Sequence, residues 1–243
     1  MSGERVYVAS DVHLGSASDD RERAFCRWLR HAASDAREVV VNGDLFDFWF
    51  EYGSVVPRGH TRILGALAEV VDSGVQVRMV GGNHDWWGGS YLTNEVGVIF
   101  HHEPVRVTLA GQRTLLAHGD GLGQGDLGYR ILQRAIRHPV ICGLFRWLHP
   151  DVGGAVARTA SRTELRNEGP DPRQLARARK LEEWAMAQLR EEVDLDLVLL
   201  GHTHLPVVKE LGGKFYVNSG DWIQHRSYVV LDPGAPPRLE HWI

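Results

Sequence analysis

The stretch "EVVVNGDLFDFWF", residues 38–50, decides how this chain is read. Three successive valines bounded by polar residues have the composition of a strand buried on both faces. A glycine follows, and then two carboxylates, Asp44 and Asp47, set among Leu45, Phe46, Phe48 and Trp49. Acids at the end of a buried strand require a compensating cation or hydrogen-bond donors, because an unpaired buried charge is costly.

The neighbouring segments repeat the pattern. "RVYVAS" (5–10) and "VQVRMV" (75–80) read as strands, and helices are expected over 20–33 and from Thr61 to Asp72. That alternation predicts parallel β-α-β units. After Gly97 come strand signals at "VRVTL" and "TLLAH", a helical block from Leu127 to Glu192, and strands at "LDLVLL", "PVVKEL", "KFYVNS" and "SYVVLD". The expectation is an α/β fold of two packed sheets flanked by helices, one domain over 1–243 with a helical insertion at about 127–165. "NEGPDPRQ" (167–174) reads as the loop joining that insertion to the following long helix.

A length of 243 residues lies near the upper end of what one core serves. The net charge of -4 argues against a general nucleic-acid binder. Cys26 and Cys142 are too few for a disulfide framework or a thiolate metal cluster. No apolar segment follows Met1 as in a secretory signal, and no run of about 18 apolar residues occurs, so a cytoplasmic protein is expected.

Asp44 has counterparts. Five predicted strands end in residues of metal-ligand type: Asp11 and His13 in "VASDVHLG", Asp44, Asn83 and His84 in "MVGGNHDW", His118 in "LLAHGDG", and His202 and His204 in "LLGHTHLP". Strand ends of an open α/β sheet face a common crevice, so these residues can converge. Gly43, Gly81, Gly82, Gly119 and Gly201 would permit the turns that aim them inward. The donors are oxygen and imidazole, which suits manganese first, with iron, zinc or cobalt as alternatives. One ion takes three or four such ligands, so a set this large suggests two ions, and Asp44 is placed to bridge ions about 3.5–4 Å apart. Alone, each motif has a bland reading as a turn with a surface histidine; their joint occurrence is what points to metal. Of the 13 histidines, His31, His60, His138 and His241 read as surface or satisfied core residues, and His101, His102, His149 and His225 stay unassigned.

D-x-H, G-D, G-N-H-D, H-G-D and G-H-T-H, in that order, resemble the calcineurin-like metallophosphoesterase superfamily. The resemblance implies a four-layer α/β/β/α sandwich. It implies that Asp11, His13, Asp44 and His204 hold one ion and Asp44, Asn83, His118 and His202 the second, with a bridging hydroxide as nucleophile. His84 would face the phosphoryl oxygens as acid or stabiliser, oriented by Asp85.

"SDVHLG", "NGDLFDFWF", "HGDGLGQGDLGYR", "HPVICGLFRWLHPD" and "NSGDW" are more closely similar to the UDP-2,3-diacylglucosamine diphosphatases of lipid A biosynthesis. These release UMP and 2,3-diacylglucosamine 1-phosphate from a nucleotide-linked glycolipid at the cytoplasmic face of the inner membrane. Substrate contacts implied by this resemblance are Asn83, His84, Asp126, Ser161, Arg162 and His202. The insertion carries Arg130, Arg134, Arg137, Arg146, Arg158 and Arg162 against only Asp151 and Glu164, interleaved with Val140, Ile141, Leu144, Phe145, Trp147 and Leu148. It reads either as a helical hairpin on the core or as a lid with an acyl groove and a basic rim for a membrane surface or a phosphate. His84 and Leu205 stand where the best-known branch has arginines, which keeps open a phosphodiesterase or phosphatase for another nucleotide or lipid phosphoester. A third reading, a metal-binding scaffold for protein interaction, predicts a broken ligand set, and the set is intact.

Overall fold

The structure is a computed structural model that describes residues 4–15, 19–123, 127–160 and 172–243. Its first part is β1 (Arg5–Ala9), α1 (Asp19–Ala33), β2 (Ala36–Asn42), α2 (Thr61–Asp72) and β3 (Gln76–Val80). β1, β2 and β3 pair in parallel, so all three run toward the same edge. α3 (Ser90–Asn94) leads to β4 (Ile99–His101), and β5 (Val105–Leu109) and β6 (Gln112–Leu116) follow. Then come α4 (Leu127–Ile136), α5 (Pro139–Arg146), α6 (Pro150–Ala160) and α7 (Pro172–Glu191). The chain closes with β7 (Leu197–Leu200), β8 (Val207–Leu211), β9 (Lys214–Asn218), β10 (Ser227–Leu231) and β11 (Arg238–His241). One sheet has the order β11-β10-β1-β2-β3-β4 and the other β5-β6-β7-β9-β8.

Side-chain alternation sorts these sheets into layers. Val6, Val8, Val40 and Val80 face Leu116, Leu197, Leu199 and Val217 of the other sheet, forming the central core. The opposite face of β1 to β3 (Tyr7, Ala9, Val39, Val41, Val77, Met79) packs on Phe25, Trp28 and Leu29 of α1 and Ile63, Leu67 and Val70 of α2. The outer face of the second sheet (Leu115, Val198, Leu200, Tyr216) is covered by Leu181, Ala185 and Leu189 of α7. The order is α/β/β/α. Trp222, from the "NSGDW" stretch, is fully buried and meets Phe25 edge-on at 4.8 Å.

Three elements differ from the sequence expectation. β4 and β11, three and four residues long, lie at the two edges of their sheet, and α3 is a helix of five residues. Segments this short carry too few periods for an apolar pattern to register. Pro172 to Gln174, expected in the loop, instead open α7, where a proline costs no backbone donor; residues 167–171 lie outside the described residues. No helix among the described residues is long and apolar enough to cross a membrane.

Candidate metal centre

The loops leaving β1, β2 and β3 continue the sheet beyond its strands. Val12 and His13 donate their backbone N–H groups to the Asp44 carbonyl at 2.9 and 3.0 Å, Leu14 donates to Leu45, and Asp47 donates back to Leu14. Farther along, Trp49 donates to the His84 carbonyl at 3.0 Å. Three motifs far apart in sequence are thereby held side by side. Asn42, the last residue of β2, ties in the second sheet: its side-chain amide donates to the carbonyls of Ala117 and Leu199 at 2.8 and 3.3 Å.

Asp11, His13, Asp44, His202 and His204 all adopt positive φ, between 50° and 67°. For residues with a Cβ this conformation costs on the order of 1–2 kcal/mol each. Strain concentrated on five convergent polar residues marks a functional site. The adjoining glycines matter chiefly because they lack a side chain: a Cβ on Gly82 would lie 2.2 Å from Asp44 Oδ1, and one on Gly201 would lie 2.7 Å from Asp11 Oδ2. Both have ordinary φ values, so close approach rather than turn geometry explains them; Gly43 combines both, with φ 87° and a Cβ position 2.2 Å from the His118 ring.

Three groups of donors converge: Asp11, His13 and His204; His13, Asp44 and His84; and Asp44, His118 and His202. Asp44 and His13 each belong to two of them. Asp11, His13, Asp44, His118 and His204 are at most 3% exposed. Asp11 Oδ1, Asn83 Oδ1 and His118 Nε2 are buried and make no hydrogen bond. Inward-facing oxygen and nitrogen atoms with no proton partner, around two buried carboxylates, are what divalent cations satisfy. The residues therefore fit a divalent metal.

The imidazoles are oriented from behind. His118 Nδ1 lies 2.9 Å from the Asn42 carbonyl, and His204 Nδ1 lies 3.2 Å from Asp221 Oδ2. His13 Nδ1 meets Asp47 Oδ1 at 3.3 Å. Each contact leaves Nε2 for the centre, the arrangement expected of metal-binding histidines. Burial drops the His202 pKa to about 3, and burial likewise lowers that of His13, keeping both rings neutral as ligands require. Burial would raise Asp44, but His118 and His84 beside it hold it well below the usual carboxylate range.

His84 places Nδ1 2.7 Å from the Asp47 carbonyl oxygen and Nε2 4.0 Å from Asp44 Oδ2. Asp85 does not position that ring. Its carboxylate instead accepts the N–H groups of Gly82, Asp44, Leu45 and Phe46 at 2.8, 3.2, 2.7 and 3.3 Å. It clamps two metal-site loops together. Burial, then the Asp44 charge, push its pKa up to about 6 against the Gly82 and Phe46 N–H groups and the His118 charge.

Asp47, Asp221 and Asn42 received no role from sequence. Asp47 and Asp221 were visible only as acids three residues after a glycine-aspartate pair and inside "NSGDW". Of the remaining histidines, His60 is buried against Phe46 and Trp49, and His225 Nδ1 lies 3.1 Å from Asp221. Asp126, Ser161 and Arg162 lie outside the described residues.

The family model of the calcineurin-like phosphoesterases matches residues 4–206, and the chain belongs to that family. It is a metal-dependent hydrolase. The UDP-2,3-diacylglucosamine hydrolase of Porphyromonas gingivalis is 34% identical to it, over 94% of either chain. Enzymes of that name from Ectopseudomonas mendocina and Aeromonas salmonicida are each 32% identical, over 85% and 95% of this chain and 84% and 91% of their own.

Proposed function

We propose that this hydrolase cleaves the pyrophosphate bond of UDP-2,3-diacylglucosamine, releasing UMP and 2,3-diacylglucosamine 1-phosphate. The observation that carries the reading is a cavity of about 350 Å³ beside the metal centre. Asp47, Asn83 and His84 form its polar end; Phe48, Phe50 and Trp87 face Ile136, Ile141, Phe145 and Val156 along the rest. A mainly apolar cavity bordered by residues of a phosphoesterase centre suits acyl chains attached to a phosphorylated sugar. The names of the relatives support the same substrate.

On this reading Asp11, His13, Asp44 and His204 hold one divalent ion, manganese first, and Asp44, Asn83, His118 and His202 the other. Such ions polarise a phosphoryl oxygen and lower the pKa of a water. The chain's own work is positional. Asp47, Asp221 and the Asn42 carbonyl fix the imidazole rings, and Asp85 fixes the loops that present Asp44 and Asn83. His84, anchored through Nδ1, presents Nε2 to the phosphoryl oxygens and, when protonated, donates a hydrogen bond to the charge that develops there. Asp126, Ser161 and Arg162 would meet the sugar phosphate.

Around the slot, α4 to α6 expose Leu127, Ile131, Val140, Leu144 and, at 90%, Trp147. A face of that composition, with Arg146 on α5 among its residues, suits peripheral contact with the inner leaflet of the cytoplasmic membrane. The test is manganese-dependent UMP release from UDP-2,3-diacylglucosamine and UDP-glucose in parallel. Preference for the diacylated substrate by about 100-fold or more supports the reading, since lost acyl burial is worth several kcal/mol. Equal rates, or turnover of simple diesters alone, would transfer the chemistry to another phosphoester.

A further inference from the structure

A pyrophosphate cleaved at this centre has two arms, and the apolar slot takes one. On the other flank of the centre, against His118 rather than His84, lies a second cavity of about 180 Å³. Its wall comes from Gly81, from His102 and Glu103 between β4 and β5, from Asp120, and from Arg130, Gln133, Arg134 and Arg137 of α4. The volume is below the roughly 300 Å³ of a whole-ligand pocket, so it accommodates part of a ligand. The lining is too polar for an acyl chain.

The charges in it are not balanced internally. Arg137 and Gln133 are spent on the Asp120 carboxylate, Arg137 at 2.6 Å, and the Arg137 guanidinium lies 4.9 Å above the Trp86 ring. Arg130 and Arg134, one helical turn apart, have no carboxylate partner among the described residues. Like charges at that spacing disfavour a helix in isolation, and an anion between them reverses the sign. Glu103 is the one lining acid without an arginine, and it sits exposed at the rim. Guanidinium groups in such pairs match phosphate oxygens in geometry as well as charge.

We propose that this cavity is the subsite for the hydrophilic arm of the substrate, a nucleoside monophosphate, with Arg130 and Arg134 as its phosphate contacts. The inference rests on the substrate reading above and gives the α4 arginines a role in the site. It also separates them from Arg146, which does not line the cavity.

The experiment is isothermal titration of the manganese-loaded protein with UMP and, separately, with 2,3-diacylglucosamine 1-phosphate. Arg130→Ala combined with Arg134→Ala should weaken UMP by about tenfold or more. The affinity for the lipid product, the manganese content and the unfolding temperature should stay unchanged. An unchanged UMP affinity, or equal weakening of both ligands, overturns the subsite. If the wild-type protein binds UMP but not the lipid product, the substrate reading falls while the subsite stands; binding of the lipid product without UMP overturns the subsite alone.

Discussion

Asp85→Asn changes one atom and tests whether the carboxylate is a clamp. Oδ1 accepts from Gly82 and Asp44, and Oδ2 from Leu45 and Phe46, so each oxygen serves two backbone donors. An amide presents one oxygen and one NH2 group. Whichever way it flips, two backbone N–H groups face another donor in a site with no solvent access. A hydrogen bond to a charged acceptor is worth roughly 1.5–3 kcal/mol, so losing two costs roughly 3–6 kcal/mol. Against a typical total of roughly 5–15 kcal/mol that is a large fraction. Urea denaturation of the wild type and variant measures it directly. Because the same loops carry Asp44, Asn83 and His84, manganese affinity should fall together with stability. A loss under about 1 kcal/mol with undiminished metal content would refute the clamp. Reduced turnover in such a variant would then return Asp85 to the chemistry.

Burial holds His60 at about 4, below the ~6.5 of an unfolded imidazole, so the unfolded chain takes up a proton that the native one refuses. Stability is full above about pH 6.5 and declines toward pH 4; between pH 7.5 and pH 5 the loss from this group is about 2 kcal/mol. In His60→Leu that component of the pH dependence should disappear from urea midpoints, and an identical slope in both proteins would count against it. Asn42→Ala removes the donor joining the sheets and should cost roughly 2 kcal/mol, while the backbone carbonyl that orients His118 is kept; unaltered stability would contradict that role. His84→Ala should slow turnover by about 100- to 1000-fold with metal content intact, and loss of metal would make His84 a ligand.

Much of this architecture is written in local patterns. The valine-rich run before Gly43 and the leucine-rich run before Gly201 are long enough to declare buried strands, and each polar residue following such a run falls at the same edge because parallel strands share a direction. The supports of the site are different in kind. Asn42 acts between two sheets, and Asp221 reaches His204 across a loop, so neither contact has a signature until the strands are paired. Asp85 is the converse: adjacency to His84 suggests a partnership, whereas its carboxylate accepts the Gly82 N–H and the His84 ring meets the Asp47 carbonyl. The exposed apolar residues of α4 and α5 keep helical spacing, Leu127 with Ile131 and Val140 with Leu144 and Trp147, so their pattern reads as a core-facing stripe although it meets solvent.

Asp44 as a shared ligand is the centre of the proposed site, and metal stoichiometry tests it most directly. Protein stripped by chelation and reconstituted with manganese should hold two equivalents per chain by elemental analysis. Asp44→Ala should hold fewer than one and have no metal-dependent turnover. A wild-type ratio of one, or an Asp44→Ala variant that keeps both ions and its activity, would contradict the shared-ligand centre.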